Sequence, residues 1–158
     1  MQRLNAIPVT HHLADAAATS AFGRQLAARL PTGSILLLEG DLGAGKTCLV
    51  QGLAAGLGID EPITSPTFAL AQHYPLLKSG AGVGGLVHLD LYRLGLPAAA
   101  DELFAQEEEE ARALGALLAV EWPERLSAPP AGCWQIQLSL SDPCNPDAGR
   151  QINVRSPS

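Results

Sequence analysis

Apolar positions along the chain fall into two kinds of block. Ile35-Leu36-Leu37-Leu38 and Leu117-Leu118-Ala119-Val120 are apolar without interruption. Short runs of this kind, bounded by polar or turn residues, fit strands buried on both faces of a parallel sheet. Leu86 to Tyr92 instead alternates, with Val87, Leu89 and Leu91 on one face and His88, Asp90 and Tyr92 on the other. Helical spacing marks three more stretches. Thr10 to Leu30 is Ala-rich with Phe22, Leu26 and Leu30 at i, i+4, i+8, and Pro31-Thr32-Gly33 stops it. Lys46 to Leu57 carries Leu49, Leu53 and Leu57 in register, with Gly58 as its C-cap. Pro97 opens a helix that runs to about Leu114.

The remaining segments read more weakly. Residues 1–9 form an irregular or extended lead, and Pro62 to Pro66 is stiff and extended. Phe68 to Tyr74 is a candidate strand, and Lys78 to Gly85 a flexible hairpin loop. Trp134 to Leu140 and Gln151 to Val154 are two late strands, joined by a polar turn from Ser141 to Gly149. Helices alternating with strands around a buried parallel core predict the α/β class. No internal repeat or linker interrupts the chain, so a single domain over residues 1–158 is expected.

Composition narrows the function. Hydrophobic residues make up 47% and charged ones 16%, a globular balance. No run of about 18 apolar residues exists to span a membrane. Met1 to His12 lacks a basic region leading into an apolar one, so no secretory signal is expected. Cys48, Cys133 and Cys144 contain no C-x-x-C pair and read as reduced thiols of a cytoplasmic protein. The net charge of −6 disfavours direct, sequence-independent binding to nucleic acid. There are only two lysines, Lys46 and Lys78, and Lys46 stands in the strongest motif of the chain.

That motif is Gly40-Asp41-Leu42-Gly43-Ala44-Gly45-Lys46-Thr47, which fits G-x-x-x-x-G-K-[ST] without a mismatch. Its glycines let successive backbone N–H groups point at phosphate oxygens. The following helix offers an N-terminus that favours an anion. Lys46 reaches the β- and γ-phosphates and the Thr47 hydroxyl binds Mg²⁺ in such loops. The flanking strand and helix supply the required context. Cys48 follows directly and reads as a small buried hydrophobe.

Hydrolysis needs acids as well. Glu121 ends an apolar strand, and Asp90 stands between leucines on another, a costly place for a carboxylate without partners. A solvated edge acid is the plainer reading of each. Ser65-Pro66-Thr67 lies where nucleotide-sensing loops often sit, but taken alone it reads as an ordinary turn. Trp122 packs either on a nucleotide or partner, or into the core. His88 reads as a packed or hydrogen-bonded strand histidine rather than a metal ligand. Glu107 to Glu110 reads as a solvated helix face, with Glu108 paired to Arg112; a docking surface for a basic partner is the sharper alternative.

Four signals stand in order: the 40–47 loop, Ser65-Pro66-Thr67-Phe68, His88-Leu89-Asp90-Leu91-Tyr92-Arg93-Leu94, and Val120-Glu121-Trp122. This succession resembles the TsaE (YjeE) family of small bacterial P-loop ATPases over roughly residues 19–126. The resemblance implies a P-loop NTPase-like three-layer sandwich, with a parallel central sheet and antiparallel flanking strands. It implies binding of ATP and Mg²⁺, attachment to a TsaB–TsaD protein complex, and ATP hydrolysis that keeps the complex turning over. The product pathway is threonylcarbamoyladenosine beside the tRNA anticodon, with tRNA met mainly through the partners. It implies that Asp41, Leu42, Gly43, Ala44, Gly45, Lys46, Thr47 and Cys48 cradle the nucleotide. Thr47 and Glu121 would hold Mg²⁺, and Asp90 would position or activate water beside the catalytic Lys46 and Glu121. Trp122 would line the nucleotide end, and Thr67 would belong to a switch-like segment. The sequence departs from the family pattern at Cys48, where a second Thr is usual, at the acidic run Glu107–Glu110 and in the glycine-rich loop.

Two other classes share the phosphate loop. A small-molecule kinase would want an Arg-rich lid, and the middle of the chain offers only Arg93, Arg112 and Arg125. An ATP-dependent assembly module with incidental hydrolysis would use every nucleotide residue named here, so it stays open. A GTPase would need an N-K-x-D segment, and none is present.

Overall fold

The computed structural model describes residues 10–64, 70–76 and 84–157. The apolar runs become strands and the periodic stretches become helices. In order they are β1 (Thr10–Leu13), α1 (Ala16–Arg29), β2 (Ile35–Glu39), α2 (Lys46–Leu57), β3 (Ala71–Pro75), β4 (Gly85–Asp90), α3 (Pro97–Leu114), β5 (Leu117–Glu121), β6 (Trp134–Leu140) and β7 (Arg150–Arg155). A short 3-10 turn, Pro123–Arg125, follows β5, and another, Pro146–Ala148, precedes β7.

All seven strands join one sheet in the order β1-β7-β6-β2-β5-β4-β3. The two uninterrupted apolar runs lie side by side at its centre, as burial on both faces requires. β2 runs parallel to β5 and β6, and β4 runs parallel to β5. The outer pairings, β3 with β4, β6 with β7 and β7 with β1, are antiparallel. The predicted parallel centre with antiparallel flanks is therefore the observed architecture.

Alternation along the strands splits the core in two. Leu36, Leu38, Leu86, Leu117 and Ala119 pack with Phe22, Leu26, Leu49 and Leu53 on the face covered by α1 and α2. Leu37, Val87, Leu89, Leu118 and Val120 pack with Ala100, Phe104 and Ala111 of α3 on the other. The same alternation assigns His88, Asp90 and Glu121 to the face of α1 and α2.

Two expectations need correction. The first helix does not begin at Thr10. Asp15 caps it by accepting a 2.8 Å hydrogen bond from the Ala18 N–H, and Thr10–Leu13 is a strand on β7. The alanine-rich pattern concealed this boundary, because the strand's partner lies more than 130 residues away in sequence. The acidic run is also not wholly solvated. Glu107 is 7% exposed and lies 2.6 Å from His73 Nε2 on β3. The expected Glu108–Arg112 pair forms at 3.2 Å.

The Lys78–Gly85 loop joins antiparallel β3 and β4, as a hairpin loop should, although residues 77–83 lie outside the described residues. The predicted alternation of β4 stops at Asp90, whose carboxylate accepts from the Tyr92 N–H at 2.9 Å and turns the chain out of the sheet.

Helices α1 and α2 meet almost backbone to backbone. A Cβ on Gly52 would lie 2.1 Å from the Ser20 carbonyl oxygen, and one on Gly23 would lie 2.4 Å from that of Leu49. This contact fixes how α2, and hence the loop before it, sits on the sheet. Replacing a mid-helix glycine by alanine ordinarily stabilises. Here Gly52→Ala is expected to lose about 1–3 kcal/mol through overpacking, read as a lower urea midpoint.

Candidate functional site

β2 delivers the chain to Gly40 at the C-terminal edge of the parallel strands, where ligands bind in open α/β sheets. The loop then closes on itself through an Ala44 N–H bond to the Asp41 carbonyl at 3.0 Å. At Gly45 the backbone is left-handed (φ 108°), and this residue caps α2 without any side-chain hydrogen bond. The first turn of α2 thus has no side chain competing for its free N–H groups, which leaves them to an anion.

Lys46 opens α2 and is 4% exposed. Its Nζ donates to the Gly40 carbonyl and sits 3.9 Å from the centroid of the Trp122 ring. Burial pushes the ammonium below its ordinary value, while Glu121, Glu124, Asp90 and Asp41 oppose the shift.

Parallel pairing sets Asp90 at the end of β4 directly beside Glu121 at the end of β5. Glu121 is 4% exposed, and its Oε2 lies 2.6 Å from His88 Nε2 and accepts from Thr47 Oγ1 at 3.3 Å. Burial raises the Asp90 carboxyl above its usual value; neighbouring Glu121 adds to this, and the Tyr92 N–H bond opposes it. The chain then turns sharply. Trp122 holds φ 59°, a positive φ that no other non-glycine residue adopts among the described residues. Strain of this kind persists where packing over-determines it. Here the indole is fixed by Lys46, by Tyr92 at 4.9 Å between ring centroids, and by the Arg125 guanidinium at 5.7 Å.

These groups line one cavity of about 320 Å³. It collects Leu42, Gly43, Gly45, Lys46, Thr47, Cys48, Asp90, Glu121 and Trp122 from the residues predicted for the site. Asp41 and Ala44 do not line it; they face a separate hollow against β6. Thr67 lies outside the described residues. Cys48, expected as a buried hydrophobe, is instead half-buried and lines the cavity; it donates to the Ala16 carbonyl at 3.3 Å, and partial burial raises its thiol.

Sequence reasoning missed four contributors. Tyr92 and Arg93 line the cavity as part of the turn that Asp90 creates. His88 is legible in the sequence only as a strand histidine, with no sign of which carboxylate it meets. Arg150, at the start of β7, donates to the Gly43 carbonyl at 3.1 Å and so holds the phosphate loop from behind. Gly149 before it was visible in the sequence, but the loop contact spans 107 positions and had no local signal. On this side a second cavity of about 270 Å³ shares Gly45 and Cys48 with the first and is bounded by Asp15, Asp147 and Arg150.

The chain was compared with known proteins. The family model "TsaE: Threonylcarbamoyl adenosine biosynthesis protein TsaE" matches residues 13–151, a wider span than the motifs alone cover. A protein of Synechocystis sp. named "tRNA threonylcarbamoyladenosine biosynthesis protein TsaE" is 49% identical over 121 residues, covering 75% of this chain and 73% of that one. A protein of the same name from Nostoc sp. is 42% identical over 142 residues, covering 90% and 82%. The crystal structure of Bacillus subtilis YdiB superposes with a TM-score of 0.67 at 29% identity, covering 94% of this chain and 85% of that one.

The raised Asp90 carboxyl has a consequence for stability. A carboxyl whose folded-state pKa lies above its unfolded value costs stability once it is ionised, and the cost disappears as pH falls through the folded value. Asp90→Asn is therefore expected to raise the melting temperature of the ligand-free protein at pH 7.5 by about 2 °C, a shift that corresponds to less than about 1 kcal/mol in a chain of this size. The gain should shrink as pH falls toward 4. A melting temperature lowered at pH 7.5 would show that the carboxylate is a net stabiliser.

Proposed function

The chain belongs to the TsaE family, and from that premise we propose that it binds ATP with Mg²⁺ in the 40–47 loop and hydrolyses it. On this reading, hydrolysis sustains a TsaB–TsaD complex that forms threonylcarbamoyladenosine on tRNA. One observation carries the proposal. The buried Lys46, the uncapped start of α2 and two carboxylates on adjacent strand ends face one cavity at the C-terminal edge of the sheet.

Each part has a role that its chemistry allows. Backbone N–H groups of the loop and of α2 hold the phosphate oxygens, and Lys46 exchanges its Gly40 carbonyl partner for the β- and γ-phosphates. The Thr47 hydroxyl and the Glu121 carboxylate fit Mg²⁺. They are hard oxygen donors already in contact, at 3.3 Å. Among the described residues no group of three or more His, Cys, Asp or Glu could hold a metal alone. That matches a cation held jointly with phosphates rather than in a protein cage. When bound, Mg²⁺ neutralises charge on the phosphate oxygens.

Asp90, beside Glu121, accepts a hydrogen bond from the attacking water and fixes its direction. Trp122 covers the Lys46 end of the cavity and limits its access to water. The ribose and base extend past Gly45 and Cys48 into the second cavity beside Asp147 and Arg150.

Among the described residues no helix is long and apolar enough to cross a membrane. The proposal has the protein working in the cytoplasm. Its charge of −6 leaves little to neutralise an RNA backbone, so contact with tRNA runs mainly through the partner proteins.

Two measurements test the proposal. Lys46→Ala should weaken binding of a fluorescent ATP analogue by at least about thirtyfold, as expected for loss of contacts to a charged group worth about 2–3 kcal/mol. Unchanged binding would remove the phosphate-loop assignment. ATP turnover by the chain alone should be slow and should rise on adding TsaB–TsaD and substrate tRNA. Phosphoryl transfer to a hydroxylated small molecule would identify a kinase instead, and turnover indifferent to the complex would identify an assembly module.

A further inference from the structure

His88 is 0% exposed and lies in mid-sheet, paired with Gln72 on one side and Ala119 on the other. Packing alone gives no reason for an imidazole there, since Leu86, its neighbour on the same face of the strand, fills that layer with hydrocarbon. Its Nε2 lies 2.6 Å from Glu121 Oε2, while its Nδ1 is buried without a hydrogen-bond partner. A proton on Nδ1 would leave a buried donor unsatisfied, so the ring takes the tautomer that donates from Nε2. The donated bond pins the oxygen that also receives the Thr47 hydroxyl. It leaves Thr47 lone pairs and Glu121 Oε1 to take a cation.

We propose that His88 is a positioning residue: its Nε2–H fixes the Glu121 carboxylate and thereby sets how tightly the nucleotide complex holds a divalent cation. The inference rests on the reading of the site as one for Mg²⁺ and ATP. Groups one shell behind a ligand hold its orientation, and removing them typically lowers metal affinity by about 10- to 100-fold. The bond costs the core one orphaned ring nitrogen, which is the trace of a function outweighing packing.

Three variants separate this role from plain folding. His88→Met keeps roughly the volume and removes the donor. His88→Gln places an amide N–H at nearly the reach of Nε2. His88→Asn carries its amide at the reach of Nδ1 and falls short of Glu121. The probe is a fluorescent, non-hydrolysable ATP analogue, titrated in EDTA and then with MgCl₂.

The Mg²⁺ concentration for half-maximal enhancement of binding should rise about tenfold or more in His88→Met and His88→Asn. It should stay within about threefold of wild type in His88→Gln, and affinity in EDTA should change less than about twofold in all three. Either folded donor-less variant suffices if the other fails to fold. An unchanged Mg²⁺ requirement in a folded donor-less variant overturns the proposal. So do equal losses with and without metal, which mark a structural role, or a failure of all three variants to fold. Wild type that binds the analogue with no dependence on Mg²⁺ overturns the Mg²⁺–ATP reading itself, so the two failures are distinguishable.

Discussion

Glu121 ends a strand that is buried along its whole length, and the structure must keep that carboxylate satisfied without open water. It does so from two directions. β4 brings His88 Nε2 to 2.6 Å, and α2 brings the Thr47 hydroxyl to 3.3 Å. Both contacts depend on register. The parallel β4–β5 pairing sets Asp90 opposite Glu121, and a slip of one residue would turn His88 and Asp90 to the α3 face. The position of α2 depends in turn on α1, because Gly23 and Gly52 allow the two helices to touch at the backbone. The core packing and the polar cluster therefore stand or fall together. The strands hold the acids, the helix pair holds the loop, and Glu121 is where the two halves meet.

The charge balance follows from the same arrangement. Two carboxylates and one ammonium share one cavity, and Lys46 and Asp90 bear a cost of burial as charged groups. Burial lowers the Lys46 pKa and raises that of Asp90. Trp122, at φ 59°, adds backbone strain, and its ring shields Lys46. Such costs are tolerated where a ligand later relieves them. On the proposed function, a polyphosphate with a divalent cation would bring both signs of charge to these groups.

Much of this was legible in the sequence, for identifiable reasons. The apolar runs of β2 and β5, the leucine spacing of α2 and the proline-to-glycine span of α3 are local patterns, and each element formed where its pattern lay. That the 40–47 loop, Asp90 and Glu121 meet at one cavity was legible, because each stands at or just after the end of a strand read from its apolar pattern. What was not legible was pairing over distance. β1 was absorbed into α1 because its partner β7 lies at the other end of the chain. The buried Glu107 looked solvated, since only the fold brings His73 to it. Arg150 against Gly43, and His88 against Glu121, are contacts that no local spacing encodes.

On the proposed function, the groups gathered at the strand ends form one site for a nucleoside triphosphate and its cation. A crystal structure with a non-hydrolysable ATP analogue and Mg²⁺ tests it most directly. The triphosphate is expected inside the 40–47 loop, with Lys46 Nζ moved from the Gly40 carbonyl to phosphate oxygens and the cation between the Thr47 hydroxyl, Glu121 and the phosphates. A triphosphate bound elsewhere, or a loop left empty at saturating analogue with Lys46 still on Gly40, would contradict it.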